Sequence, residues 1–196
     1  MADRALRSPL SIVVLGLLAE SAQHPYGMRV LIRERGHERI TGRGGASLYD
    51  AVRRLERAGL VEAEQTERAG RRPERTIYRI TASGGHELAA WVREALADPE
   101  PAGQFAAALS FMYVLEPDEA IAHLQDRADM LGELIERADT GIAEAIDGGV
   151  PPIFLSEERY AQSQRRAERE WVCDFITQVR RGDLRWPQPR SAQEQS

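Results

Sequence analysis

The chain has 196 residues, of which 42% are hydrophobic and 29% are charged, a balance that excludes a wholly disordered protein. The formal net charge of −5 disfavours nucleic-acid binding, but the two halves differ. Residues 1–96 contain 16 arginines and 12 acidic residues, a charge of +4, whereas residues 97–196 contain 10 arginines and 19 acidic residues, a charge of −9. This asymmetry is typical of a module that faces nucleic acid joined to an acidic partner module.

The reactive residue types give no sign of catalysis. The single cysteine, Cys173, excludes an intrachain disulfide and fits a reducing compartment, and the four histidines form no zinc signature. The sequence contains no nucleophile motif, no nucleotide-binding loop and no carboxylate pair at a plausible cleft. We therefore expect neither an enzyme nor a bound cofactor or metal.

The first apolar run, Leu10 to Ala19, has two interpretations. It follows two arginines and resembles the apolar stretch of a secretory signal. Pro9 near its start, Gly16 within it and the lack of disulfide cysteines favour a buried first helix instead. The run is also shorter than the ~20 residues that span a bilayer, so we expect a cytoplasmic protein.

Two helices are predicted before residue 36. Ser8 is a suitable N-cap and is followed by proline, so the first helix covers about 9–20 and, being apolar nearly all round, is buried. The pair His24-Pro25 opens a second helix in the same way, and Gly36 ends it. A link of about nine residues leads from there to the third helix.

The third helix, over 46–58, is amphipathic and ends at Gly59. Its apolar stripe, formed by Leu48, Val52 and Leu55, faces the core, so its tyrosine and its arginines project outward. Two extended runs, 60–65 and 76–81, then flank a polar loop and predict a β-hairpin. Thr81 caps a fourth helix, so that the order is helix, helix, helix, hairpin, helix.

The segment Asp98 to Pro101 is the one clear linker, and we place the domain boundary there. We expect one domain over 1–97, a second over 102–186 and a disordered tail over 187–196. The second domain begins with a helix of about 103–115. A seam of apolar residues spaced by three and four then runs over 121–145, and Ser156 starts a last helix.

Three motifs carry a family resemblance. They are His24-Pro25-Tyr26-Gly27, the stretch Ala46 to Tyr49 running into Arg54 to Val61, and Tyr78-Arg79-Ile80-Thr81 after the loop. In this order and spacing, over about residues 8–90, they resemble the PadR family of transcriptional regulators. Family members often have Gly-Thr before the Leu-Tyr pair and proline after it, whereas this chain has Ala46-Ser47 and Asp50.

The resemblance implies a mainly α fold with a small β-hairpin. We expect an N-terminal winged helix-turn-helix that binds double-stranded DNA and a C-terminal antiparallel helical dimerisation domain. A recognition helix presents its N-terminal residues to base edges in the major groove. The DNA-binding residues that we expect are Ser47, Tyr49, Arg53 and Arg54 on the third helix and Arg71, Arg72 and Arg75 on the wing.

These residues have different expected roles. Arg53 and Arg54 suit guanine readout, and Ser47 and Tyr49 suit phosphate or a thymine methyl group. The wing arginines suit phosphate or minor-groove contacts. Two alternatives stay open: Tyr49 as a packing residue, and Arg57, beside a glutamate, as a merely solvated side chain.

The seam over 121–145 also has two compatible interpretations, an intrachain core face and a dimer contact. A helix-turn-helix reads a palindrome as a dimer, so we expect a homodimer held by the acidic helices. The predicted contact residues are Ile121, Leu124, Ala128, Leu131, Ile135, Ala138, Trp171 and Phe175. Aromatic residues in and near this half, for which core packing is the alternative, suggest a small aromatic effector; they are Trp91, Phe105, Phe111, Tyr113, Phe154, Trp171 and Phe175.

The leading functional hypothesis is therefore a ligand-responsive repressor that binds a palindromic operator as a homodimer. The alternative is a protein-interaction adaptor that uses a winged helix without binding DNA. The two differ in whether the protein binds duplex DNA in a salt-dependent manner.

Overall fold

The computed structural model describes residues 6–41, 45–67, 75–99 and 103–187. These residues are mostly helical, with a single two-stranded antiparallel sheet. They fall into two compact units. The first unit contains the described residues up to Ala95 together with residues 103–115. The second unit contains residues 96–99 and the described residues from Glu116 onward.

The mainly α architecture with one hairpin is confirmed. Two 3-10 turns, Met112–Val114 and Pro152–Leu155, accompany the helices and strands. The elements are α1 (Pro9–Glu20), α2 (Pro25–Glu34), α3 (Glu38–Thr41), α4 (Gly45–Arg57), β1 (Val61–Glu67), β2 (Arg75–Ile80), α5 (Ala82–Ala97), α6 (Gln104–Phe111), α7 (Pro117–Asp147) and α8 (Ser156–Arg181).

Helix α1 is the centre of the first unit. Every residue from Ser11 to Leu18 is buried, because α1 packs against α4, α6 and β2. Its N-terminus is capped as predicted, since the Ser11 amide donates to Ser8 Oγ at 3.1 Å. A helix that is apolar all round thus occupies the position that its composition predicts.

The link between the second and third helices contains the short helix α3, which the sequence pattern did not predict. Gly36 has a φ of +72°, a conformation that favours glycine, and it ends α2 by redirecting the chain. The His37 carbonyl then accepts from the amides of Ile40 and Thr41 at 2.9 Å each. These bonds close a single helical turn that contains only one strongly apolar residue.

Helix α6 lies in the first unit, although the sequence places it at the start of the second domain. Phe111 at the end of α6 packs directly over Gly16 of α1, where a Cβ atom would overlap its ring. Arg7 adds a hydrogen bond of 2.6 Å to Gln104 in the first turn of α6. The proline-rich linker therefore precedes the point at which the packing of the first unit ends.

The second unit is a long antiparallel hairpin of α7 and α8. Its core contains Leu124 and Leu131 of α7 together with Val172 and Ile176 of α8, all of them buried. The two helices are joined by a turn in which Gly149 has a φ of +87°. Among the residues that the structure describes, no helix is long and apolar enough to span a membrane.

Candidate nucleic-acid interface

Helix α4 separates an apolar face from a polar face. Leu48, Ala51, Val52 and Leu55 are buried against the rest of the first unit. The opposite face exposes the four residues predicted to bind DNA from this helix, and Tyr49 is 45% exposed. Tyr49 is therefore a surface residue, and the alternative of a core-packing role does not fit its position. The four residues are Ser47, Tyr49, Arg53 and Arg54.

The end of α4 is fixed to the sheet and to α5 at one junction. Gly59, with a φ of +72°, ends the helix, and the Leu60 amide bonds back to the Leu55 carbonyl at 2.9 Å. Thr81 donates its hydroxyl proton to the Gly59 carbonyl at 2.8 Å and its amide proton to the Leu60 carbonyl at 3.1 Å. A side chain at Gly84 in α5 would overlap the Leu60 carbonyl oxygen. Helix α4, the hairpin and α5 thus meet through contacts to the backbone carbonyls of Gly59 and Leu60.

The hairpin forms the wing. Its strands pair from Val61 with Ile80 to Glu67 with Arg75, with an irregularity between Ala63 and Gln65. Such a bulge increases the local twist of a hairpin. Arg71 and Arg72 lie outside the described residues, as does the side chain of Arg75, whose backbone begins β2.

A third backbone segment extends the sheet. The Gln23 amide donates to the Tyr78 carbonyl, and the Tyr78 amide donates to the Gln23 carbonyl, at 3.0 Å each. This bridge ties the turn between α1 and α2 to the inner strand of the wing. The four residues between α1 and α2 form a segment that is too short to predict a strand.

Recognition helix and wing are also electrostatic neighbours. Burial raises the pKa of Tyr78 on β2, Glu56 raises it further, and Arg53 lowers it. The exposed face of α4 and strand β2 therefore belong to the same region of the surface. Beside it, Arg79 forms an exposed ion pair of 2.5 Å with Glu62 across the hairpin.

Exposed arginine side chains on α2 and α4 bond to none of the residues that the structure describes. They include Arg29 and Arg33 on α2 and Arg54 and Arg57 on α4. Sequence reasoning did not assign the α2 pair to the site, although their spacing of four, opposite the buried Met28 and Ile32, was a signal. Unpaired cations on a helix-turn-helix surface suit a polyanionic ligand.

The predicted dimerisation residues fall into two groups. Ile121, Leu124, Ala128 and Leu131 are buried within the hairpin of the chain itself, so the intrachain interpretation of the seam holds for its first half. Ile135 and Ala138 are half-buried.

The α8 pair is more accessible. The Trp171 and Phe175 rings stack at 5.2 Å, and Trp171 is 46% exposed. Sequence reasoning missed two exposed apolar residues near the hairpin turn, Ile153 and Tyr160, and treated the neighbouring Phe154 only as an effector candidate.

Helix α2 and helix α4 form a helix pair, and α4 presents polar residues on its exposed face. A β-hairpin follows this pair, and this arrangement defines a winged helix-turn-helix regulator. Residues 14–90 match the model of the Transcriptional regulator PadR-like family. This match covers less than half of the chain, and over these residues the chain is similar to the PadR-like transcriptional regulators. No curated protein matches the chain.

Solved structures of several proteins match the chain at low sequence identity. A protein of Streptococcus mutans UA159 is 20% identical, with 87% of this chain and 99% of that chain covered and a TM-score of 0.40. Bacillus subtilis PadR in complex with operator DNA is 18% identical, with 87% and 98% covered and a TM-score of 0.39. The same protein in complex with p-coumaric acid aligns at 16% identity, equal coverage and a TM-score of 0.39.

Proposed function

We propose that this chain is a ligand-responsive repressor that binds a palindromic operator as a homodimer. The observation that carries the proposal is the exposed arginine-bearing face of α4, held next to the wing by the Thr81 junction. On a surface of this kind the side chains of α4 can read base edges, and the wing can contact the sugar-phosphate backbone of the DNA.

The roles of the individual residues follow from groove chemistry. Arg53 and Arg54 each suit bidentate contact with a guanine in the major groove, where O6 and N7 are both acceptors. Ser47 and Tyr49 lie closer to the start of α4 and suit phosphate or thymine methyl contacts. We assign Arg71, Arg72 and Arg75 to phosphates or to the minor groove beside the half-site.

The homodimer is proposed from the distribution of apolar surface. In the part of the chain that the structure describes, ten large hydrophobic side chains are exposed, and eight of them belong to the second unit. Exposed apolar side chains concentrated in one part of a soluble protein favour an interaction site there. We place the contact on Trp171, Phe175 and the hairpin turn, with Ile135 and Ala138 at its edge. Ile121, Leu124, Ala128 and Leu131 support it from within the hairpin.

A small aromatic effector completes the proposal. It is supported by the p-coumaric acid complex of Bacillus subtilis PadR and by the aromatic residues of this chain. The buried Trp91 and the exposed Trp171 report on different units. Phenolic acids should quench tryptophan fluorescence saturably, and Trp91→Phe and Trp171→Phe variants would assign the responding unit. The absence of a saturable change in the wild type would remove the effector from the proposal.

The DNA proposal is tested by fluorescence anisotropy on the duplex upstream of the gene, with a scrambled duplex alongside. Arg53→Ala or Arg54→Ala should cost about 1–3 kcal/mol on the operator and relax specificity at one position. Arg71→Ala should weaken binding to both duplexes equally. It should also lower the slope of log affinity against log salt concentration by about one. Arg137→Ala, an exposed arginine of α7, is the matched control and should leave the affinity unchanged.

The wild-type titration separates the two candidate functions. A regulator should bind duplex DNA with an affinity that falls steeply as salt is added, because arginine contacts release counterions from the phosphates. A protein-interaction adaptor should show no such binding. That second outcome would overturn the regulator proposal whatever the variants do.

A further inference from the structure

His37 is a buried histidine with an unsatisfied ring nitrogen. The residue is 9% exposed, and its Nδ1 atom makes no hydrogen bond with any described residue. Its ring packs edge-on against Phe111 of α6, with 5.7 Å between the ring centroids and an interplanar angle of 64°. Buried polar atoms are usually hydrogen-bonded, so an unpaired one calls for an explanation.

The position of His37 connects it to the recognition helix. Its amide donates to the Ile32 carbonyl of α2 at 2.8 Å, and its carbonyl accepts from the amides of Ile40 and Thr41. The hydroxyl of Thr41 donates to the same carbonyl at 3.1 Å. His37 thus joins the end of α2 to α3, the element that precedes α4 along the chain. Displacement of its ring would disturb the segment that leads into α4.

Among the residues that the structure describes, the charges around His37 offer no good partner for a protonated ring. The elements that pack on α3 are α1 and α6. Helix α6 has no titratable side chain, and the only one on α1 is Glu20. Glu20 already accepts two hydrogen bonds from Arg35 at 2.7 Å and one from Tyr113 at 2.8 Å. Other charged residues close to His37 are Arg35, two positions before it, and Glu38 and Arg39 on α3.

Burial and the charge of Arg35 shift the pKa of His37 in the same direction. Burial lowers the pKa of His37, the positive charge of Arg35 lowers it further, and Glu20 partly opposes both. The folded protein therefore favours the neutral imidazole.

We propose that His37 is a pH-sensitive latch that holds α3 against Phe111 when neutral and releases it when protonated, lowering affinity for DNA. The DNA part of this inference rests on the proposed function. Because the pKa of His37 is lower in the folded than in the unfolded state, its stabilising contribution is fully present above the ordinary value of about 6.5. That contribution is lost as the pH falls below this value.

The test compares operator affinity at pH 7.5 and pH 5.5 in the wild type, His37→Leu and His24→Asn. His24 provides the control, because it is a second histidine of the first unit, and its Nδ1 accepts from the Gly27 amide at 2.7 Å and so caps α2. Asparagine can replace it as a helix cap. We expect a loss of about threefold or more on acidification in the wild type and in His24→Asn, and little loss in His37→Leu. Equal losses in all three proteins would overturn the latch.

A second measurement does not depend on DNA. The Ile40 and Thr41 amides donate to the His37 carbonyl, so their hydrogen-exchange protection factors report directly on the latch. After correction for intrinsic exchange, protection should fall on acidification in the wild type and stay constant in His37→Leu. Unchanged wild-type protection would overturn the latch. An absence of DNA binding at pH 7.5 with the expected change in protection would instead overturn the proposed regulator function.

Discussion

The ring of Phe111 occupies the space that a side chain at position 16 would need. A Cβ atom on Gly16 would overlap three carbon atoms of that ring, and the glycine lies in the middle of the buried helix α1. The absence of a side chain therefore lets α1 and α6 approach each other closely. Helix propensity alone would favour alanine at this position, so close packing outweighs it.

Gly16→Ala should lower the free energy of unfolding by about 1–3 kcal/mol, because an added methyl group overpacks a tight contact. The measurement is urea denaturation followed by circular dichroism. Gly141→Ala is the matched control: Gly141 is exposed in α7, and apart from its chain neighbours and its own helix backbone no described atom lies within 4 Å of its Cβ position. It should stabilise the protein by about 0.5–1 kcal/mol. Equal effects of the two substitutions would contradict the packing argument.

Arg127 is the buried cation of the hairpin. Its guanidinium donates to Glu168 of α8 at 2.6 Å and to the Asp98 carbonyl at 2.6 Å. Arg127→Ala should cost about 2 kcal/mol, because it leaves a half-buried carboxylate and a carbonyl without their donor. The exposed pair between Arg166 and Asp139 provides the control, and Arg166→Ala should cause no measurable change in the urea midpoint. A larger effect at position 166 than at 127 would refute this ranking.

Thr81 has two roles in the same hydroxyl group. Its Oγ1 accepts from the Gly84 amide at 3.0 Å, which caps α5, and donates to the Gly59 carbonyl at the end of α4. Thr81→Ala should cost about 1 kcal/mol of stability through the lost cap and should also weaken operator binding. Thr81→Ser keeps the hydroxyl and should retain most of both. Loss of both properties in the serine variant would show that the methyl group matters instead.

The apolar residues near the hairpin turn and on α8 give a prediction about assembly. The wild type should be a dimer at micromolar concentration in size-exclusion chromatography with light scattering. Phe154→Asp and Trp171→Asp should shift it towards monomer, because each places an uncompensated charge in an apolar contact. Tyr26→Asp changes an exposed aromatic residue of the first unit and should leave the mass unchanged. A monomeric wild type would refute the proposed dimer.

The sequence predicted those elements whose signals are local. Helix α1 was predictable because its cap and its apolar run lie in one short segment, and the two faces of α4 follow directly from the spacing of Leu48, Val52 and Leu55. Helix α3 was not predictable, because it depends on the conformation of Gly36 and on the distant ring of Phe111.

The seam on α7 shows a second limit of pattern reasoning. Residues spaced by three and four face one side of a helix whether the partner is α8 of the same chain or a helix of another copy. Spacing alone does not distinguish these partners. The structure assigns Leu124 and Leu131 to the intrachain hairpin, and it shows accessible apolar surface at Trp171 and Phe154 instead.

The Thr81 junction has a consequence for the choice of binding sites. Since Thr81 bonds to the Gly59 and Leu60 carbonyls and so joins α4 to the strands, the separation between the start of α4 and the base of the wing is set before DNA binds. The spacing between α4 and the wing is therefore fixed, and the DNA must bend or change its groove width to contact both of them. Sequences that deform easily would be preferred even at base pairs that no side chain touches.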